Sequence, residues 1–113
     1  MNTEADNKAN AVEELSFDSF SEFYPFYLSE HQNVSCRRLH FIGTGSVIVL
    51  LIWICATETW LALLAIPALG YTFAWVGHFF FEKNKPATFK FPIYSLVGDF
   101  VMFKDILMGK VKV

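Results

Sequence analysis

The sequence predicts an all-α membrane protein, a two-span helical hairpin with flanking amphipathic helices. Apolar residues make up 54% of the 113 residues and aromatic residues 18%. A soluble domain this small has too much surface for its volume to bury so many apolar side chains. Two apolar stretches, about 39–57 and about 60–81, also have the roughly 20-residue length that crosses the hydrocarbon core of a bilayer. Between Leu39 and Phe81 the only Asp, Glu, Lys or Arg is Glu58, in the turn that joins the stretches.

The domain organisation follows the same change in composition. We expect a polar N-terminal tail over residues 1–15 and a single helical membrane domain over residues 16–113. After Ser16, aromatic residues recur at steps of three and four, which is helical spacing, while the opposite face is acidic. The pattern predicts an amphipathic helix on the membrane surface or against the bundle, and Pro25 is expected to kink or divide it.

The turn between the two spans is short, which makes the spans antiparallel neighbours. After the second span, an apolar face interrupted by Asp99, Lys104 and Asp105 predicts a third helix that is interfacial or half-buried. Asp99 itself is interpreted as a charge on the helix surface, with a hydrogen bond to a histidine as the alternative.

Basic residues lie only outside the hairpin's turn. Arg37 and Arg38 precede the first span, and Lys83, Lys85 and Lys90 follow the second. The positive-inside rule therefore predicts that both termini are cytoplasmic and that the turn is outside. The net charge of -2 and the lack of a basic aromatic patch give no indication of nucleic-acid binding.

Three histidines and one glutamate are expected to meet at one end of the hairpin. His40 begins the first span and His78 nearly ends the second, so an antiparallel hairpin brings both to a similar depth. His31 precedes His40 by nine residues and can fold back to that level. Glu82 follows His78 by four residues, which is one turn along the same helix face.

Ionisable side chains at membrane depth are costly and tend to mark functional sites. Imidazoles with one carboxylate suit iron or zinc, and two histidines with a carboxylate suit non-haem iron(II) with positions open for oxygen. The pattern therefore predicts a metal site and leaves the metal open. In the alternative, each histidine is a polar interfacial residue, and Glu82 pairs in solvent with Lys83 or Lys85.

Arg37 and Arg38 allow two interpretations. Two arginines beside a span are ordinary topology signals, and this is the interpretation that we favour. A guanidinium also has the planar fork that binds a carboxylate or a lipid phosphate, so the pair is a candidate for binding a substrate head group.

Three blocks of the sequence resemble the Mpo-like membrane protein family. The first is YLSEH at 27–31 followed by CRRLHFIGT at 36–44, the second is WVGHFFFEKNKPA at 75–87, and the third is FPIYSLVGDF at 91–100. The resemblance extends over about residues 17–109 and is to the short, bacterial-type form of the family.

The resemblance implies that His31, His40 and His78 are ligands of iron(II), and that Glu82 is the acid that follows the last ligand in the family motif. A characterised yeast member, from the endoplasmic reticulum, is an iron(II)-dependent dioxygenase that shortens 2-hydroxy fatty acids by one carbon. The resemblance thus implies a membrane enzyme of fatty acid α-oxidation that uses dioxygen and a long-chain 2-hydroxy acid.

Such an enzyme would lie in the inner membrane of a bacterium or in the endoplasmic reticulum of a eukaryote. Two other classes of function remain open. The chain is alternatively a non-catalytic integral membrane scaffold, in which the histidines need not converge. It is alternatively a lipid-binding protein, which would have a pocket but no metal.

Overall fold

The structure is a computed structural model that describes residues 15–113, a range that is mainly helical and contains no strand. Residues 1–14 of the predicted polar tail lie outside this range. The four α-helices are α1 (Phe20–Ser29), α2 (Val34–Thr57), α3 (Ala65–Val76) and α4 (Pro92–Leu107). A 3-10 turn, Trp60–Leu64, leads into α3, and a π-helical turn, Gly77–Glu82, continues it. The predicted fold class, a hairpin of long apolar helices between two shorter helices, is confirmed.

Helix α1 begins after Ser19, whose side chain accepts a hydrogen bond from the Glu22 backbone N–H. Pro25 lies inside the helix and does not divide it. Its missing N–H deprives only the carbonyl of Ser21, and Ser21 is exposed, so water can replace the lost donor. The aromatic residues Phe23 and Tyr27 are buried and form a core cluster with Met102 and Val111.

The first long helix, α2, begins five residues before the predicted start of the span, because Asn33 caps it by accepting from the Cys36 backbone N–H. Its 24 residues make a helix about 36 Å long. Glu58 ends it in the left-handed conformation, with φ of 56°. The second helical run, Trp60–Glu82, has 23 residues.

A glycine lets the two long helices pack closely at Gly43, where an added Cβ would lie 2.8 Å from Cβ of Phe73. Nearer the turn, a Cβ added to Gly70 would make an ordinary contact of 3.5 Å with Cγ2 of Val47. Residue numbers increase along α2 while those of the contacting residues in α3 decrease, so the two helices are antiparallel as predicted. Close backbone approach through glycine is typical of helix pairs in membranes.

The outer surface of this hairpin is apolar. In the most apolar part of each helical run, only 28% of the residues in Val34–Thr57 and 6% in Trp60–Glu82 are buried inside the protein. A core helix of a soluble protein would be mostly buried, whereas large exposed apolar surfaces mark contact with a membrane or a partner. Both helical runs are long and apolar enough to cross a membrane.

The last helix, α4, packs against α1 and α2 and is half-buried. Two tyrosines of α1 hold it: the Tyr27 hydroxyl donates to Asp99 Oδ1 at 2.5 Å, and the Tyr24 hydroxyl donates to Asp105 Oδ2 at 2.7 Å. The interpretation of Asp99 as a surface charge is therefore wrong. A carboxylate that accepts from a buried phenol is satisfied inside the bundle and does not need to reach water.

Candidate metal centre

His31, His40 and His78 form one buried cluster at the end of the hairpin away from the turn. Their exposed fractions are 1%, 4% and 2%. The ring centroids are 4.4 to 4.8 Å apart, and one ring nitrogen from each residue lies within 4.8 Å of the others. Three residues that are far apart in sequence thus present nitrogen ligands to one small volume.

A carbonyl oxygen orients each imidazole. Nδ1 of His31 lies 2.6 Å from the Tyr27 backbone oxygen, and Nδ1 of His40 lies 2.9 Å from the Cys36 backbone oxygen. Nδ1 of His78 lies 2.7 Å from Asn84 Oδ1. The amide of Asn84 is itself oriented, because its nitrogen donates to the Glu30 backbone oxygen at 3.1 Å and to the Glu30 carboxylate at 2.7 Å.

These contacts determine which nitrogen carries the proton. A carbonyl oxygen only accepts, so each ring is protonated at Nδ1 and its Nε2 has a free lone pair. Nε2 of His31 and Nε2 of His40 are 3.1 Å apart. Two free lone pairs at this distance repel each other unless a cation lies between them, and a metal ion is such a cation.

The separation of Nε2 of His31 and Nε2 of His40 fits two ligands of one metal ion. Two histidine nitrogens, each about 2.1 Å from one ion, are about 3.0 Å apart at an angle of 90° and about 3.4 Å apart at the tetrahedral angle. The observed 3.1 Å lies in this interval. Burial, followed by the neighbouring His40 and His78, lowers the pKa of His31 well below its usual value, so His31 is in the neutral form that binds metal.

The sequence predicts that Glu82 points to the same centre, but the structure places it elsewhere. Its two carboxylate oxygens accept from the backbone N–H groups of Gln32 and Asn33, at 2.5 Å and 2.7 Å. The N–H groups at the start of α2 have no partner within the helix, and a carboxylate forms strong charge-assisted bonds with them. Glu82 thereby ties the loop that carries His31 to the π turn that carries His78.

The π turn lies close to α2 at Gly77. A Cβ there would lie 3.1 Å from Cys36 Sγ and 3.3 Å from Cys36 Cα. Because the Cys36 carbonyl orients His40, this approach links the positions of His40 and His78. Short π segments of this kind often occur at functional sites.

The two candidate head-group arginines lie outside the cavities that adjoin the histidines. The Arg37 side chain donates to the His31 backbone oxygen at 2.5 Å and to the Lys112 backbone oxygen at 3.1 Å. It therefore holds the His31 loop against the C-terminal segment. Arg38 is exposed, and neither arginine lines the two cavities beside the histidines.

Those two cavities meet at the cluster. A small cavity of about 20 Å³, room for about one water molecule, is lined by the three histidines and by Ser95 and Asp99, among others. A larger cleft of about 360 Å³ runs between α2, α3 and α4 and has a mainly apolar lining. The residues common to both linings are His40, Tyr71, Ala74 and Asp99.

Sequence reasoning missed Asn84 and Ser95, and it favoured a surface position for Asp99. Asn84 carried no signal beyond its place in a block of the resemblance, whereas Ser95 and Asp99 are four residues apart, a spacing that puts both on one face of α4. Burial raises the pKa of Asp99 to about 6, although the hydrogen bond from Tyr27 opposes this rise. At neutral pH the Asp99 carboxyl is mainly ionised and is a hydrogen-bond acceptor.

The fold and the site together define a small helical protein with two helices that could cross a membrane and a buried three-histidine centre that could hold a metal ion. The chain belongs to the 2-hydroxy-palmitic acid dioxygenase Mpo1-like family, whose family model matches residues 17–111. The family resemblance seen in the sequence is thereby confirmed. No curated protein and no solved structure matches the chain.

Proposed function

We propose that this protein is an iron(II)-dependent dioxygenase that shortens a long-chain 2-hydroxy fatty acid by one carbon. The observation that carries the proposal is the convergence of three buried imidazoles at the end of an apolar cleft. The description of the family, a 2-hydroxy-palmitic acid dioxygenase, supports the substrate class.

The choice of iron rests on chemistry. Imidazole ligands suit both iron and zinc, but zinc has no redox chemistry and cannot activate dioxygen. When bound, iron(II) would supply open coordination positions and the electron transfers that dioxygen requires. The ligands would be His31, His40 and His78, whose Nδ1 contacts to Tyr27, Cys36 and Asn84 hold the rings in place. Orientation of ligands by such outer contacts raises metal affinity.

The proposed reaction balances with dioxygen as the only co-reactant. The bond between the carboxyl carbon and C2 of the substrate breaks, the carboxyl group leaves as carbon dioxide, and C2 becomes the new carboxyl carbon. The substrate loses four electrons, and dioxygen accepts them. One oxygen atom enters the shortened acid, and water is the remaining product.

The cleft supports a substrate with a long acyl chain. It follows α2 from His40 past Thr44 and Val47 to Leu51. Eleven residues of helix rise about 16 Å, which is about half the thickness of the hydrocarbon core. The acyl chain would lie along the helices within one leaflet, and its head group would lie at the histidines. The apolar lining keeps water away from the chain.

The decisive experiment starts from protein purified in detergent without added metal. Bound metal is determined by elemental analysis, and oxygen uptake and the shortened acid are measured with iron(II) and 2-hydroxypalmitate. We expect bound iron, equal consumption of oxygen and hydroxy acid, and an acid one carbon shorter. Activity in a metal-free protein would overturn the proposal, and bound iron without oxidation would reject the reaction but keep the metal centre. Binding of the acid without any metal would support the lipid-binding alternative.

A further inference from the structure

Two polar side chains of α4, Ser95 and Asp99, face the histidine cluster across the small cavity. Ser95 is only 4% exposed, and its hydroxyl oxygen has no hydrogen-bond partner among the residues that the structure describes. Serine in a helix commonly bonds the backbone carbonyl one turn earlier, and Ser95 does not. A buried hydroxyl that lines a cavity without a protein partner is placed to bind a polar group of a ligand.

Asp99 lies one turn further along α4, where the small cavity joins the apolar cleft. The Tyr27 hydroxyl donates to its Oδ1 at 2.5 Å and so holds the carboxylate in one orientation. An ionised carboxylate has about four acceptor positions, and the bond from Tyr27 uses one of them. Asp99 therefore retains acceptor capacity at the point where an acyl chain in the cleft would end in its head group.

We propose that Asp99 and Ser95 are the residues by which this site recognises a 2-hydroxy acid. Asp99 accepts a hydrogen bond from the 2-hydroxyl group, and the Ser95 hydroxyl donates to the substrate carboxylate. This inference rests on the proposed function for the class of its ligand. It adds the residues that distinguish a 2-hydroxy acid from a 2-oxo acid or an unsubstituted acid of the same length.

The physical basis of the discrimination is the proton on the 2-hydroxyl. A 2-oxo group has only lone pairs, which the Asp99 carboxylate repels, and an unsubstituted acid offers no donor to the acceptor positions that Tyr27 leaves free. Sites that hydrogen-bond a substrate hydroxyl reject analogues that lack it by large factors. We expect the wild type to bind 2-hydroxypalmitate about 100-fold more tightly than palmitate or 2-oxopalmitate.

The test measures binding without turnover. Trp75 lines the small cavity, so its fluorescence reports ligand binding in a chain that carries Trp53→Phe and Trp60→Phe. The three acids are titrated anaerobically into this chain in lipid nanodiscs, with and without iron(II). In Asp99→Asn the Tyr27 hydroxyl should still donate to the side-chain oxygen, so the amide NH₂ faces the ligand. We expect the ratio of hydroxy-acid affinity to 2-oxo-acid affinity to fall by about 100-fold in this variant.

Asp105→Asn is the matched control. Asp105 lies on the same helix, is buried, and accepts from Tyr24 as Asp99 accepts from Tyr27, but it lines neither cavity. Its substitution should leave the hydroxy-to-oxo preference unchanged. Iron content should equal that of the wild type in both variants, because neither carboxylate belongs to the histidine cluster.

Two further variants keep the inference testable if Asp99→Asn does not fold. Ser95→Ala should weaken binding of all three acids equally, by about tenfold, since they share the carboxylate. Tyr27→Phe should reduce the hydroxy-acid preference, because the Asp99 carboxylate is no longer held in place. An unchanged preference for the hydroxy acid in Asp99→Asn or Tyr27→Phe, or an unchanged affinity in Ser95→Ala, would overturn this inference and leave the proposed function standing. A wild type that retains iron and binds no 2-hydroxy acid would overturn the proposed substrate as well.

Discussion

Gly77 is the position at which one added methyl group best tests how the metal centre is built. In Gly77→Ala the new Cβ would lie 3.1 Å from Cys36 Sγ, 3.3 Å from Cys36 Cα and 3.4 Å from the Cys36 backbone oxygen. The sulfur can rotate away, but the two backbone atoms move only if α2 moves. The helix must therefore shift by a few tenths of an ångström relative to the π turn.

Two opposing effects change the free energy of unfolding. Overpacking at a tight interface costs about 1–3 kcal/mol. Alanine is favoured over glycine in a helix by about 1 kcal/mol. The net destabilisation should then be about 0–2 kcal/mol. Metal affinity should respond more strongly, because α2 carries His40 and the π turn carries His78, so the shift changes the spacing of two of the ligands. We expect iron affinity to fall by about 10–100-fold, the size typical of a disturbed ligand environment.

The assay is a competitive titration of iron(II) against a chelator, with thermal unfolding measured in the same detergent. Gly70→Ala is the control: it lies in the same helical run, and its Cβ would make an ordinary contact of 3.5 Å with Val47. Its metal affinity should equal that of the wild type. If Gly77→Ala bound iron as tightly as the wild type, or if Gly70→Ala lost as much affinity, the close approach at Gly77 would not set the ligand geometry.

Three other predictions address the ligands, the carboxylate and the topology. His40→Ala or His78→Ala should abolish bound iron and consumption of 2-hydroxy acid without affecting membrane insertion. Metal affinity depends on the number of ligands, whereas insertion depends on summed apolar length. Elemental analysis of extracted protein checks this prediction, and full iron content in either variant would contradict it. Glu82→Gln should lower iron affinity less than a histidine loss, because Glu82 binds backbone N–H groups in the structure; a loss as severe in the same titration would make Glu82 a ligand. In a chain that carries Cys55→Ala and Glu58→Cys, an impermeant thiol reagent should label the cysteine in the turn from outside intact cells. The reason is that the turn has no basic residue, and the positive-inside rule therefore places it outside. Labelling of a cysteine at the N-terminus instead would show the opposite orientation.

Much of the fold was predictable because it depends on the length and the summed hydrophobicity of continuous stretches of the chain. The lengths of the two apolar runs predicted the long helices, and the brief turn at Glu58 predicted that they are antiparallel. That arrangement alone placed His40 and His78 at one end of the hairpin. Helix starts were less predictable, since α2 begins where the Asn33 side chain caps it, five residues before the apolar run.

The carboxylates show the limit of such reasoning. Four-residue spacing puts Glu82 on the same helix face as His78, but it does not reveal which groups compete for its oxygens. The competitors are the N–H groups of Gln32 and Asn33, about fifty positions earlier in the chain, which only the packed loop brings within reach. Asp99 was misplaced for the same reason, since its partner Tyr27 lies on another helix.

Hydrophobic length and helical period act along the chain, so the amino-acid pattern alone specifies an apolar helical hairpin with three histidines near one end. The tertiary structure decided which nitrogen of each histidine is free, since Tyr27, Cys36 and Asn84 supply the carbonyl oxygens that orient the rings. It also decided that Glu82 ties the loops together while Asp99 faces the cavity. Hydrogen bonds depend on distances of a few tenths of an ångström between separate elements, and those distances exist only after the helices have packed.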